Sequence, residues 1–219
     1  MTIQLTNSSV VINAEHFNPS IASQIWLIDN DIIHREEFLE GAVFTPMFIQ
    51  VPTRDFQLLI VPDNCQFSIA PHAERQQELI MDRVGRIIST LPHTPYKSIG
   101  LNFLWHHVVE RGTITKITRE LFYDSNNRLH QLFNSDDAQF GCYVSKDSLG
   151  CRLRLDIKPI MMMESATGQN KSAVQFAFNY HYEVVNRLDA VSEITQKLGQ
   201  WENAKTDSSQ IFQTTLRDR

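Results

Sequence analysis

The chain has few cysteines, and their spacing gives them no common role. Cys65, Cys142 and Cys151 are the three cysteines of the sequence, and no two of them form a C-x-x-C pair. Disulfide-rich scaffolds and structural zinc sites both need more cysteines at closer spacing. We therefore predict reduced thiols, no metal site and a fold that depends on a hydrophobic core.

Long apolar runs are also missing. No window approaches the roughly 18 consecutive apolar residues that a membrane-spanning helix requires. The first residues lack both the basic region and the apolar region of a signal peptide. These absences predict a cytoplasmic protein that does not interact with membranes.

Motifs for phosphate binding and for nucleophilic catalysis are absent as well. The eight glycines are scattered, and neither G-x-G-x-x-G nor the P-loop pattern occurs, so we predict no cofactor. The G-x-S-x-G and S-x-x-K signatures of hydrolases are missing too. With 20 basic and 25 acidic residues the net charge is -5, which disfavours nucleic acid as a partner.

The distribution of apolar residues indicates an α+β fold. In this fold, antiparallel β-meanders pack against a few helices, and a long C-terminal helix lies on the sheet. The predicted strands cover residues 10–12, 43–51, 56–61, 65–69, 97–109, 140–146, 151–158 and 173–185. The predicted helices are a short insertion that begins at Pro19, the segments 73–91 and 191–201, and a pair of helices within 113–133 that is interrupted at residues 124–127.

No low-complexity linker divides the chain, so we predict a single compact unit over residues 1–219. An alternative is a division into two halves, 1–112 and 113–219, because each half contains a predicted meander followed by a helix. The segment 203–219 is mostly polar and is expected to fray.

Residues 151–158 alternate strictly between apolar and polar side chains. This pattern predicts a half-buried strand that presents Arg152, Arg154 and Lys158 to solvent. If the two strands pair, Gln175, Asn179, His181 and Glu183 of the next strand join this face. Two interpretations remain open. The face is simply solvated, or it recognises an anion, a phosphate or an acidic protein partner, since arginine binds such groups bidentately.

Aromatic residues share one face of the predicted strand 173–185. They are Phe176, Phe178, Tyr180 and Tyr182, and Trp201 comes from the helix expected to cover them. Such an arrangement encloses a ligand pocket in some proteins, whereas close packing into a filled core is the usual outcome.

Two pairs of residues that include histidine have side chains suited to chemistry. His106 and His107 are adjacent on a predicted strand, so they point to opposite faces and cannot chelate one ion together. His72 and Glu74 combine an imidazole with a carboxylate, but a carboxylate at the start of a helix also stabilises the helix dipole. We therefore assign no catalytic residue.

The missing catalytic motifs and the many apolar helix stripes favour one class of function. We predict a non-catalytic cytoplasmic subunit or adaptor that engages a protein partner or forms homo-oligomers. The alternative is a small-ligand-binding protein or hydrolytic enzyme with its pocket between the C-terminal sheet and helix.

Overall fold

The computed structural model describes residues 2–109, 113–163 and 170–216, and within these ranges the chain forms nine strands and six α-helices. The strands are β1 (Thr2–Ala14), β2 (Val43–Phe44), β3 (Ile49–Pro52), β4 (Phe56–Val61), β5 (Asn64–Ile69), β6 (Tyr96–Val109), β7 (Cys142–Ser148), β8 (Cys151–Met163) and β9 (Asn170–Glu183). The helices are α1 (Gln24–Asp29), α2 (Gln76–Thr90), α3 (Ile114–Phe122), α4 (Arg128–Leu132), α5 (Ala190–Leu198) and α6 (Trp201–Leu216).

All nine described strands belong to one antiparallel sheet in the order β2-β3-β4-β5-β1-β6-β9-β8-β7. The two strands at its centre, β1 and β6, are each flanked by a meander that ends in a helix, α2 after β5 and α5 after β9. The two parts of the sheet therefore share one topology. The proposed division at residue 112 stays a prediction, and residues 110–112 lie outside the described ranges.

The hydrophobic core lies on one face of the sheet. Alternate residues of the strands, such as Val10, Leu101 and Phe178, are buried there, and their neighbours along each strand point to the other face. The helices α2, α5 and α6 place Val84, Ile194 and other apolar side chains into the same core. This arrangement confirms the α+β fold with antiparallel meanders and a C-terminal helix on the sheet. None of the described helices is long and apolar enough to span a membrane.

The N-terminal third differs from the prediction in two details. The segment 43–51 forms two strands rather than one, because the Thr45 hydroxyl accepts a hydrogen bond from the Phe48 backbone N–H and closes a turn. The first helix begins after Ser23, whose hydroxyl caps the Trp26 N–H, and not at Pro19.

The expectation that residues 203–219 fray is wrong for the described part of that segment. Residues 203–216 form most of α6, and Ser208 and Phe212 are fully buried. The predicted helix 191–201 divides at Gly199, so that its two parts become α5 and the start of α6. Residues 217–219 lie outside the described ranges.

Candidate functional site

The face of the sheet opposite the core, which we call the open face, carries most of the polar side chains of the central and C-terminal strands. Strand register places five of these residues side by side in one row, one from each strand. From β1 to β7 the row contains Ser9, Asn102, Asn179, Arg154 and Ser145. The next row places Gly100, His181, Arg152 and Asp147 beside it.

Five side chains from these two rows form what we call the open-face cluster. They are Asn102, Asn179, Arg152, Arg154 and His181. Because each lies on an alternate position of a strand whose other face is buried, a slip of one residue would move apolar side chains into solvent. The rigid sheet therefore fixes the positions of all five.

The two asparagines of the cluster form a direct hydrogen bond. Asn179 donates from Nδ2 to Oδ1 of Asn102 over 2.7 Å. Gly100 makes room for this pair, since a Cβ atom at that position would lie 3.0 Å from Asn179 Nδ2. The bond leaves the Asn102 amide group as a donor and the Asn179 carbonyl as an acceptor for a bound molecule.

Arg152 and His181 of the cluster already have acidic neighbours. Arg152 Nη1 lies 3.1 Å from Asp147 Oδ1, and Nη2 also donates to the Ser145 hydroxyl. His181 Nε2 lies 2.8 Å from Glu183 Oε1. Both groups are therefore held in place by partners on the same face.

Arg154 differs from the other cations of strand β8. It is exposed and makes no hydrogen bond or ion pair with any described residue. Lys158, four positions further along the same strand, lies 3.2 Å from Asp156 Oδ2. The Arg154 guanidinium thus keeps all of its donors for an external acceptor.

The structure brings together three of the four residues predicted for partner or anion binding. Arg152, Arg154 and His181 line a shallow groove of about 470 Å³ that also reaches Tyr182 and Lys197. Lys158 shares the open face, but it is not among the residues that line this groove. The alternation correctly predicted that Arg152, Arg154 and Lys158 are exposed together.

The aromatic residues predicted for a pocket lie in the core. The five side chains are Phe176, Phe178, Tyr180, Tyr182 and Trp201, and each is at most 4% exposed. The Phe103 ring centroid lies 4.6 Å from that of Trp201, and the Tyr180 hydroxyl donates to Asp207 of α6 over 2.8 Å. Burial raises the pKa of the Tyr180 phenol far above its usual value, so this residue stays protonated. The contacts of Trp201, Phe176 and Tyr180 thus join α6 to the sheet.

The histidine side chains considered in the sequence lie apart from one another in the structure. His106 lies on the open face and His107 on the core face, as predicted, and burial lowers the pKa of both. His72 Nε2 lies 3.7 Å from Asp55 Oδ1, and it makes no hydrogen bond or ion pair with Glu74 in the described structure. Within the described ranges, no group of three or more His, Cys, Asp or Glu side chains is arranged to hold a metal ion.

The sequence placed Asn179 beside the arginines on condition that the two strands pair, as they do, but Asn102 was missed as a member of the site. The alternation placed Asn102 on the polar side of its strand, but it did not show that this strand pairs with the strand that carries Asn179. A further buried cation was also missed: Arg83 of α2 lies 3.2 Å from Glu37 and donates to the backbone carbonyls of Asp31 and Ile32. Arg83 attaches the loop after α1 to α2, so its role is structural.

Compared with models of protein families and with curated protein sequences, the chain matches none. The functional conclusion therefore depends on the geometry of the open-face cluster.

Proposed function

We propose that this chain is a non-catalytic cytoplasmic binding subunit whose open-face cluster holds an acidic group of a protein partner. The observation that supports this proposal is the state of Arg154. An exposed guanidinium, with no partner among the described residues, stands on a rigid sheet between the amide of Asn179 and the hydroxyl of Ser145.

A carboxylate suits this position for a geometric reason. The planar guanidinium offers two parallel N–H donors, which match the two oxygens of an Asp or Glu side chain. The Asn102 amide group on the same row supplies a further donor. One carboxylate can therefore receive two parallel hydrogen bonds from Arg154.

The charges around Arg154 favour a protein partner over a nucleic acid. Asp147 and Glu183 flank the cluster, and the chain as a whole has a net charge of -5. The sugar–phosphate backbone of a nucleic acid carries many negative charges, and several of them would be repelled by these acidic groups. A single carboxylate can instead bind the free guanidinium of Arg154 alone. The proposed ligand is thus a protein segment with one or a few acidic side chains.

Photo-crosslinking in cells of the source organism tests this proposal. A photoreactive amino acid replaces Asn7, an exposed residue of β1 on the open face, and in a control chain it replaces Gln210 on the outer side of α6. We expect a discrete adduct from position 7 and not from position 210. Mass spectrometry should locate the crosslink near an acidic residue of the captured protein.

Two matched substitutions then assign the contact. Arg154→Gln and Lys158→Gln remove the same charge from the same strand, but only Arg154 belongs to the cluster. We expect Arg154→Gln to abolish the adduct and Lys158→Gln to retain it, with an unchanged melting temperature for both because exposed charges contribute little to stability. Equal adduct yields from the two variants, or equal adducts from positions 7 and 210, would refute the proposal.

A further inference from the structure

Strand β7 forms an open edge of the sheet. Its seven residues, Cys142–Ser148, pair with β8 on one side in an uninterrupted register. No described strand pairs with its other side. The opposite edge of the sheet ends in β2, which has only two residues and is thereby protected from pairing.

The outer edge of β7 offers both backbone groups and apolar surface. Backbone N–H and C=O groups of alternate residues point away from β8. Tyr143 is 63% exposed and Val144 is 51% exposed, one on each face of the sheet. An added strand would satisfy the backbone groups and cover both side chains.

The sequence of β7 is complementary to itself in antiparallel orientation. One register pairs all seven residues, and it places Ser145 opposite Ser145 of a second copy. In this register Tyr143 faces Asp147, and Val144 faces Lys146, so no like charges lie opposite each other. A shift that centres the pair on Lys146 or Asp147 would instead oppose two identical charges.

We propose that the protein forms a symmetric dimer through antiparallel pairing of β7 with β7 of a second copy, centred on Ser145. The twofold axis is perpendicular to the sheet, so both open faces lie on the same side. The result is a continuous sheet across two copies. This dimer does not depend on the proposed binding of an acidic partner.

The proposed register has a consequence for the open-face cluster. Arg154 lies directly opposite Ser145 in the β7–β8 pair, so the two Arg154 residues of the dimer share one row across the axis. Three strand spacings separate them, which is roughly 14 Å. The dimer therefore presents two free guanidinium groups side by side on one face.

Cysteine trapping tests the register in the full-length protein. A Ser145→Cys variant should form a disulfide-linked dimer under mild oxidation, because residues directly opposite each other are within reach of a disulfide. Val144→Cys is the matched control: residue 144 faces residue 146 and lies too far from its own copy to be linked. The wild-type protein, which keeps its own three cysteines, gives the background.

The dissociation constant of the dimer, measured for variants with altered charges on β7, provides a second test of the same interface. Val144→Lys places two like-charged pairs across the axis, and we expect the dissociation constant of the dimer to rise about ten-fold. Adding Lys146→Asp converts both pairs into opposite charges and should restore dimerisation. Sedimentation over a range of concentrations measures both effects.

Three results would overturn this inference. They are a wild-type protein that stays monomeric at every concentration, a Val144→Cys variant that links as efficiently as Ser145→Cys, and a double variant no tighter than Val144→Lys. Arg154→Gln leaves the β7 edge intact, so it should dimerise normally even if it loses the acidic partner. The failure of one proposal is therefore distinguishable from the failure of the other.

Discussion

Replacing Phe212 by alanine tests whether the C-terminal helix is a packed part of the fold. Phe212 is fully buried, and its ring centroid lies 4.8 Å from that of Phe176 and 5.6 Å from that of Trp105. The polar composition of α6 indicates a frayed segment, whereas these contacts require a helix fixed to the sheet. The effect of the substitution on stability distinguishes a frayed segment from a helix packed on the sheet.

The expected loss of stability is large. Removing a fully buried phenylalanine ring takes away its transfer free energy and leaves a cavity, which together cost about 3–5 kcal/mol. For a protein of this size that loss lowers the melting temperature by roughly 6–20 °C. In a frayed helix, the same substitution would change the free energy of unfolding by no more than about 0.5 kcal/mol.

Urea denaturation followed by tryptophan fluorescence measures this loss. Trp105 is a suitable reporter because it stacks on Phe212 and its indole N–H donates to the Ser208 hydroxyl over 3.0 Å. Gln210→Ala, on the exposed side of the same helix, is the control and should unfold like the wild type. A Phe212→Ala protein within about 1 kcal/mol of the wild type would refute the packing of α6.

Two other predictions concern α5 and β7. The hydrogen bond from Lys197 lowers the pKa of the Glu193 carboxyl, and the backbone N–H groups of Asn186 and Val185 add to this effect. The ionised carboxylate therefore stabilises the folded state at neutral pH, and this stabilisation is lost as the pH falls through the lowered pKa. Glu193→Gln should therefore lower the free energy of unfolding by about 1 kcal/mol at pH 7. Urea titrations should show this difference from the wild type disappearing as the pH falls through the lowered pKa of Glu193. Gly141→Ala places a Cβ atom in steric overlap with the Ile157 carbonyl oxygen. Hydrogen exchange should therefore show about 3 kcal/mol less protection of the β7 amides. Unchanged protection would contradict the close approach of Gly141 to Ile157.

Strand β8 was predictable because one of its faces packs in the hydrophobic core and the other is exposed to water. Alternation of Leu153 and Leu155 with Arg152 and Arg154 is stable in one register only, so local sequence sufficed. Helix α6 was not predictable in the same way. Its buried side includes Ala204 and Ser208, small residues that carry little hydrophobic signal although they allow the helix to approach the sheet closely.

Only the part of the open-face cluster that depends on local sequence was predictable. Arg152 and Arg154 are near in sequence, and their common face follows from the strand period. Asn102 belongs to β6, however, and reaches Arg154 only through the pairing of β6 with β9 and of β9 with β8. A single sequence does not specify which distant strands pair, so Asn102 was not assigned to the site, although Asn179 was expected to join the face.

The central position of β1 has a consequence for the order of folding. Val10 pairs with Phe67 on one side and with Leu101 on the other, so both neighbours are synthesised well after β1 itself. At usual rates of translation, the second neighbour follows β1 by roughly 5 to 20 s. During that interval the apolar run of Val10, Val11 and Ile12 in β1 has an unpaired edge, and closing such long loops makes folding slow. Correct assembly of this sheet therefore depends on β1 avoiding aggregation until β6 has left the ribosome.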